Sequence, residues 1–346
     1  MRQRLSRARR AGGTLAVTVL GALILAGCNN NTATPAAVTG IPSIGIAVPL
    51  RTIACTSSDS CIALGTTGAQ LVPTSVGEYR QSAGGWAALN VPAAASSVIT
   101  SVSCWKTGCL VGGVQPSGSL VWGYNASSES VGVRNAPARS QGVRALSCFA
   151  NSSCGAVVSV GSTGMSAILF TSDAGSTWSL ASIMPWSLNE TIKGLSCTDS
   201  LTCMVSAQSS AGTLDLEVTH DGGVTWTSRV TPSSWVTLTS LQCSHRKCVA
   251  LATSASSSKI ARTSTFGREW KTISLPVKAN ALACATMSTC VIGGKASSAS
   301  PWLATMSGTA LSVKSLRYVP SSILDVACGT KICTALGVST LMALHP

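Results

Sequence analysis

Aromatic, acidic and histidine side chains are scarce in this 346-residue chain, which has three Tyr, three Phe, three His and only 11 Asp plus Glu. Three histidines cannot furnish a series of metal sites, and so few carboxylates leave little material for acid–base hydrolysis. Beyond the first 27 residues charges are scattered singly, with no basic run interleaved with aromatics, which excludes a nucleic-acid surface. No phosphate-binding glycine loop is present; the glycines read as serving turns. The one long apolar stretch, Leu15–Ala26, is too short to span a bilayer and has no basic flank on its far side. What the chain has in quantity is Ser, Thr, Ala, Val and Gly, a composition that favours many short strands over helices.

The apolar stretch follows a basic head of Arg2, Arg4, Arg7, Arg9 and Arg10. It ends in Leu25-Ala26-Gly27-Cys28, which resembles a bacterial lipobox. That resemblance implies a signal peptide over 1–27, lipidation of Cys28, and a lipid anchor on the extracytoplasmic side of the cell membrane. Residues 28–42 then read as a lipidated polar tether, and 43–346 as the folded body. Removing five of 24 basic residues leaves 19 against 11 acids, so the mature net charge is +8 rather than +13.

The cysteines reveal an internal repeat. Besides Cys28, fourteen of the 15 fall into seven close pairs: Cys55/Cys61, Cys104/Cys109, Cys148/Cys154, Cys197/Cys203, Cys243/Cys248, Cys284/Cys290 and Cys328/Cys333. Their first members advance from 55 to 328 in six steps, a period of 45.5 residues. Short strands at such a period are the signature of a β-propeller with four antiparallel strands per blade. One unit reads as strands Val143–Cys148, Cys154–Val160, Ser166–Ser172 and Trp178–Met184, so each cysteine pair closes the first (A–B) hairpin as a disulfide. A loop this short contributes only about 2 kcal/mol of chain entropy per bridge, so the bridges set hairpin register more than fold. The expected fold is all-β: a seven-bladed β-propeller of four-stranded blades with one A–B hairpin disulfide per blade. The last unit (Ile323–Cys328, Cys333–Val338, Thr340–His345) ends without a fourth strand. Residues 43–49, which match the fourth strands Trp86–Pro92 and Trp270–Pro276, are expected to complete it and close the ring.

Thr171-Ser172-Asp173-Ala174-Gly175-Ser176-Thr177-Trp178 fits the pattern S/T-x-D-x-G-x-T-W, as does the run from Thr219 through Asp221, Gly223 and Thr225 to Trp226. A degenerate copy, Thr263 to Trp270, has Thr265 in the Asp position, and a trace ends at Trp86. These resemble the Asp-box (BNR) repeats of sialidase-like propellers and of photosystem II assembly factors. Their residues read as structural: Asp accepts N–H groups of its own turn, Gly takes a positive φ, and Trp packs between blades.

In a four-strand meander the A–B and C–D turns share one face. The other face is therefore expected to be the binding funnel, with Arg51, Arg139, Arg144, Trp186, Asn189, Glu190, Lys193, Trp235, Lys278, Lys295 and Asp325 near it. Trp186 and Trp235 follow fourth strands of adjacent blades and are expected to form an aromatic patch. The sialidase resemblance would imply three arginines, a Tyr nucleophile with a Glu, and an Asp. Yet Tyr79, Tyr124 and Tyr318 fall in or near outer strands, and only Glu190 and Asp325 approach the funnel. The expectation is a monomeric, non-enzymatic binding or scaffold protein for a protein or glycan partner, with no cofactor and no metal. A sialidase-like glycoside hydrolase and an assembly factor for an envelope complex are the alternatives.

Overall fold

A computed structural model of the chain describes residues 50–67, 75–82, 85–88, 97–161, 165–184, 190–296, 300–314, 322–337 and 341–344. All belong to one compact unit, Pro35–Pro346. They form antiparallel meanders only: six sheets of four strands and one of three, each assembled from consecutive strands. No helix among the described residues is long and apolar enough to cross a membrane. The molecule is an all-β propeller with four-stranded antiparallel blades. Where seven complete blades are expected, six are complete, and the seventh sheet (Ile323–Cys328, Cys333–Gly337, Leu341–Leu344) has three strands. The segment 43–49 lies outside the described residues, as do the signal peptide, Cys28 and the tether.

Strand limits follow the alternation of side chains. The third sheet consists of Ser140–Ala150, Ser153–Val160, Met165–Thr171 and Ser179–Ile183. The fourth strands are shorter than the pattern suggests, at Gly85–Ala88, Ser179–Ile183 and Lys271–Ser274. They are outer edges that pack on one side only, so little hydrophobic burial supports their extension. Second strands, covered on both faces, read as continuous buried runs, such as Ala156, Val157 and Val158 at 0% exposure.

The core is divided into seven clusters, each shared by two neighbouring sheets. Ile62 and Leu64 of the first sheet meet Val111 and Trp122 of the second. The series runs round to Leu50 and Ile53 of the first sheet, which pack on Ala327, Leu336 and Leu341 of the seventh. The ring is therefore closed by apolar packing between the first and last sheets.

The disulfides are Cys55–Cys61, Cys104–Cys109, Cys148–Cys154, Cys197–Cys203, Cys243–Cys248, Cys284–Cys290 and Cys328–Cys333, with Cα atoms 3.9–4.1 Å apart. Each joins directly opposed residues of a first and a second strand. The bridges thus lie where they pin hairpin register, and the second member of every pair is in addition a core residue. Cys61, Cys109, Cys154, Cys203, Cys248, Cys290 and Cys333 are all fully buried. Cys109 packs with Ile62 and Trp122, Cys203 with Val157 and Ile168, Cys248 with Leu216 and Leu238, and Cys290 with Val249 and Leu251 of the preceding sheet. Cys61 Sγ lies 3.7 Å from Thr334 Oγ1 of the seventh sheet. The physical reason is position: the second cysteine opens a strand that neighbouring sheets cover on both faces, whereas the first ends a strand that borders the axis. The sulfurs therefore contribute seam packing in addition to loop entropy.

A second regularity is hydrogen bonding across the seams. The residue before the first cysteine of one sheet accepts the N–H of the first cysteine of the next. Ser103 takes Cys148 N–H (2.9 Å), Ser147 takes Cys197 (2.8 Å), Ser196 takes Cys243 (2.8 Å) and Gln242 takes Cys284 (2.8 Å). Two residues upstream the pattern recurs, with Ser101 accepting from Leu146 and Ser240 from Leu282. At the seam between the seventh and first sheets that upstream position is Asp325, which accepts from Ile53 N–H at 3.0 Å.

Candidate functional site

The first strands of all seven sheets line the axis. The part of each strand from two or three residues before its cysteine through the hairpin turn surrounds a cavity of about 870 Å³, at the upper end of the range for small-ligand sites. It opens on the face that carries the first hairpins and the disulfides, called here the hairpin face. This differs from the funnel expected on the opposite face. The reason is that the turns between paired cysteines project inward: Trp105, Lys106, Phe149, Asn151, His245 and Met287 line the cavity. All lie inside or just beyond the cysteine loops, where the sequence signals only hairpin closure. Trp105 is half-buried and packs against the cluster shared by the second and third sheets. Its ring lies over Gly108, where a Cβ would stand 2.7 Å from Trp105 Cζ2, so a bare backbone is required there.

Among the described residues two carboxylates line the cavity, and both are engaged by backbone. Asp199 Oδ1 accepts the N–H groups of Leu201 and Thr202 at 2.8 and 2.7 Å. Its pKa is lowered because these bonds outweigh the opposing effect of burial. Asp325 Oδ2 accepts from Thr52 Oγ1 (2.8 Å) and Ile53 N–H (3.0 Å), and its Oδ1 from Val326 N–H (2.9 Å). Burial nevertheless raises Asp325 from 3.8 to about 6, those three donors counteracting only part of the desolvation. Below Asp325, Asp59 Oδ1 accepts the N–H groups of Lys331 and Ile332 (2.8 and 3.1 Å), and Thr330 Oγ1 donates to Ser57 O. The seam between the seventh and first sheets is thus clasped by two carboxylates.

The remaining expected residues separate by location. Trp235 is 5% exposed, in the cluster between the fourth and fifth sheets, with its ring edge-on to Trp270 at 5.7 Å. It is therefore not part of a surface aromatic patch: apolar burial between sheets outweighs its placement after a fourth strand. Trp186, Asn189 and Tyr318, and the side chain of Tyr79, lie outside the described residues. Tyr124 is 2% exposed and its hydroxyl faces Ser60 Oγ at 3.3 Å, which removes it as a channel nucleophile.

Arg51, Arg144 and Lys193 occupy the same repeat position, four residues before the first cysteine, where the ladder of the first two strands slips by one residue. Such a bulge re-aims its side chain. Arg51 and Arg144 are exposed, and Arg144 Nε donates to Ser159 Oγ at 2.6 Å. Arg139, also exposed, has φ 60°, and Lys278 and Lys295 oppose each other across the first ladder of the sixth sheet. All six cations and Glu190 stand at or toward the strand-start face, away from the cavity mouth. Of the expected residues that are described, Asp325 alone lines the cavity.

The two Asp-containing turns close as their residue types require. Thr177 N–H and Oγ1 donate to Asp173 (2.8 and 2.7 Å), Gly175 N–H donates to Thr171 Oγ1 (2.9 Å), and Gly175 has φ 84°. Asp221 repeats the arrangement with Thr225 and Thr219. In the degenerate copy, Thr265 Oγ1 accepts Glu269 N–H at 3.0 Å, so a hydroxyl stands in for the carboxylate. Asp173 falls to about 2 because of the Thr177 N–H and then its hydroxyl, and Asp221 to about 2 because of the Thr225 hydroxyl and then its N–H. Both turns serve the seams: Trp178 Nε1 donates to Asn135 O just past the second sheet and Arg134 Nε returns a bond to Ala174 O, while Trp226 packs on the cluster shared by the third and fourth sheets. Among the described residues no group of three or more His, Cys, Asp and Glu could hold a metal ion.

This architecture places the chain among the β-propellers. No protein-family model matches it, and no curated protein matches it. Among solved structures it is similar to YCF48 with a bound D1 peptide (16% identity, TM-score 0.62, covering 89% of this chain and 95% of that one) and to YCF48 from Cyanidioschyzon merolae (14%, 0.62, 90% and 99%). It is also similar to a GH74 xyloglucanase from Xanthomonas campestris (11%, 0.61), covering 86% of this chain but 52% of the xyloglucanase. At these identities the likeness is one of fold.

Proposed function

We propose that the protein is a non-enzymatic binding or scaffold propeller that receives a protein or glycan partner at the hairpin-face mouth of its channel. The observation that carries this reading is the use of both cavity carboxylates, Asp199 and Asp325, as acceptors for backbone N–H groups. A glycoside hydrolase needs two carboxyl groups flanking one scissile bond. Here each of the two serves its own turn or seam, while Trp105, Phe149 and His245 offer ring faces and Asn151 and Lys106 offer polar contacts. Similarity to peptide-bound YCF48 favours a polypeptide ligand; similarity to the xyloglucanase is what keeps the hydrolase alternative in view.

The same reading includes an anchor: cleavage before Cys28, lipidation of its sulfur, and a body held on the extracytoplasmic side of the cell membrane. It also includes segment 43–49 as the fourth strand of the seventh sheet, and membership of the Asp-turns in the Asp-box type. The test pairs binding with turnover. The full chain is titrated against peptide and glycan arrays and incubated with fluorogenic glycosides. We expect binding that falls at least tenfold in Trp105→Ala or His245→Ala, and no turnover. Turnover that disappears in Asp199→Asn or Asp325→Asn would overturn the proposal in favour of a hydrolase.

A further inference from the structure

The two faces of the ring carry charge differently. On the hairpin face, Asp59, Glu129, Asp173, Asp199, Asp221 and Glu269 stand against nine cations: Lys106, Arg246, Lys247, Arg268, Lys271 and Lys331, and Arg134, Arg229 and Arg262, whose guanidinium groups donate to carbonyls of its turns. On the strand-start face, Lys259 and Lys314 join the six cations already placed there, making eight. Among the described side chains only Glu190 and Asp215 oppose them. The cations are spread around the first, third, fourth, fifth and sixth sheets rather than gathered in one groove. Lys278 and Lys295 face each other directly in the ladder, a pairing of like charges that costs stability without an external anion.

Exposed apolar side chains share that face. Val98 (37%), Met165 (38%) and Ile183 (46%) stand at strand starts or ends there, with Val313 (54%) and Val230 (90%) at or just past the ends of fourth strands. A linear polyanion calls for a continuous basic track, and an acidic protein for a local complementary patch. A broad disc of separated cations with apolar side chains between them suits a planar surface that is anionic and apolar just beneath. We propose that the strand-start face docks on anionic lipid headgroups, with the hairpin-face cavity turned away from the membrane. Docking is carried by these side chains and does not depend on acylation of Cys28.

The test uses the full chain, so residues 1–28 are common to every arm. Lys193, Lys278 and Lys295 are changed together to Gln, and a control changes Lys247, Lys271 and Lys331 to Gln with the same net charge. Binding is measured to phosphatidylcholine vesicles with and without phosphatidylglycerol as the anionic lipid. An environment-sensitive unnatural amino acid at position 230 or 224 reports which face meets lipid; Val224 is 72% exposed in a hairpin-face turn. At a factor of about five per cation, the strand-start variant should lose roughly 100-fold in affinity for anionic vesicles while the control changes little. The probe at 230 should shift to the blue and the probe at 224 should not. Equal losses in the two triple variants, or a blue shift at 224 in place of 230, would overturn the proposal. So would a loss seen equally with soluble polyglutamate and unaccompanied by any probe shift, which would assign the face to an acidic polymer.

Discussion

Replacing Asp325 tests whether the last and first sheets are held by a carboxylate clasp. In Asp325→Ala, Ile53 N–H and Thr52 Oγ1 lose their acceptor, the former inside a packed seam. An unsatisfied buried donor costs about 1–3 kcal/mol, so the variant should lose about 3 kcal/mol in all. Asp325→Asn keeps one acceptor oxygen and should lose about half of that. The pH dependence distinguishes this from generic damage. Asp325 has a folded-state pKa of about 6, above the unfolded 3.8, so the folded chain binds its proton more tightly. The stabilisation is therefore fully present below about pH 4 and is lost as pH rises through about 6. Two units at 1.36 kcal/mol each set an upper limit near 3 kcal/mol. Access to channel water lowers the expected change to about 1–2 kcal/mol. The assay is urea denaturation between pH 4 and 7.5 with the disulfides intact. Wild type should lose stability across that window relative to Asp325→Asn, whose amide does not titrate. Parallel profiles for the two proteins would refute the raised pKa, and an Asp325→Ala loss under about 0.5 kcal/mol would refute the clasp.

Two further predictions come from other parts of the ring. Ala283 holds the seam position that is Ser in three other sheets, so Ala283→Ser should give Cys328 N–H an acceptor and add about 0.5–1.5 kcal/mol. The reciprocal Ser147→Ala should remove a similar amount, and chemical denaturation of the two variants reads both signs. Asp221, lowered to about 2, stabilises its turn above the unfolded carboxylate range, a contribution lost as pH falls toward 2. In Asp221→Asn, the protection factors of Gly223 and Thr225 against hydrogen exchange should fall at pH 6 and lose their dependence on pH, whereas unchanged protection would show the turn to be held by Thr219 alone.

The repeat carries most of the architecture into view. Cysteine spacing locates every first hairpin, because a disulfide across a turn of four or five residues leaves one register open, and the chain pairs Cys148 with Cys154 and its six counterparts accordingly. Spacing does not reveal that Cys61, Cys109, Cys203, Cys248 and Cys290 are core residues, since their cover comes from adjoining sheets. The bonds that close each Asp-turn are legible, since they run within eight residues, but those that tie it to the neighbouring sheet are not. The site is less legible. Trp235 has the flanks of a surface residue, and its burial against Trp270 depends on how two sheets approach, which no local pattern encodes. Asp325 stands out as a rare acid near the axis, yet its partners are Thr52 and Ile53, 273 and 272 residues away. The cavity mouth escapes a local reading for a related reason: Trp105, Phe149 and His245 belong to separate turns that converge only once the ring has formed.

Each cysteine pair in the body joins neighbours along the chain, five or six residues apart. A chain delivered amino terminus first can therefore oxidise each pair as it emerges, before the following pair exists to compete. No intermediate need hold a thiol in waiting for a distant partner, and no bridge need be undone for the next to form. The finished set has the topology of beads on a string: cutting none of the bridges, the whole ring could still be drawn out into a line of seven small loops. With no bridge between sheets, oxidation does not have to wait for the circle, and the circle itself is closed without a covalent link.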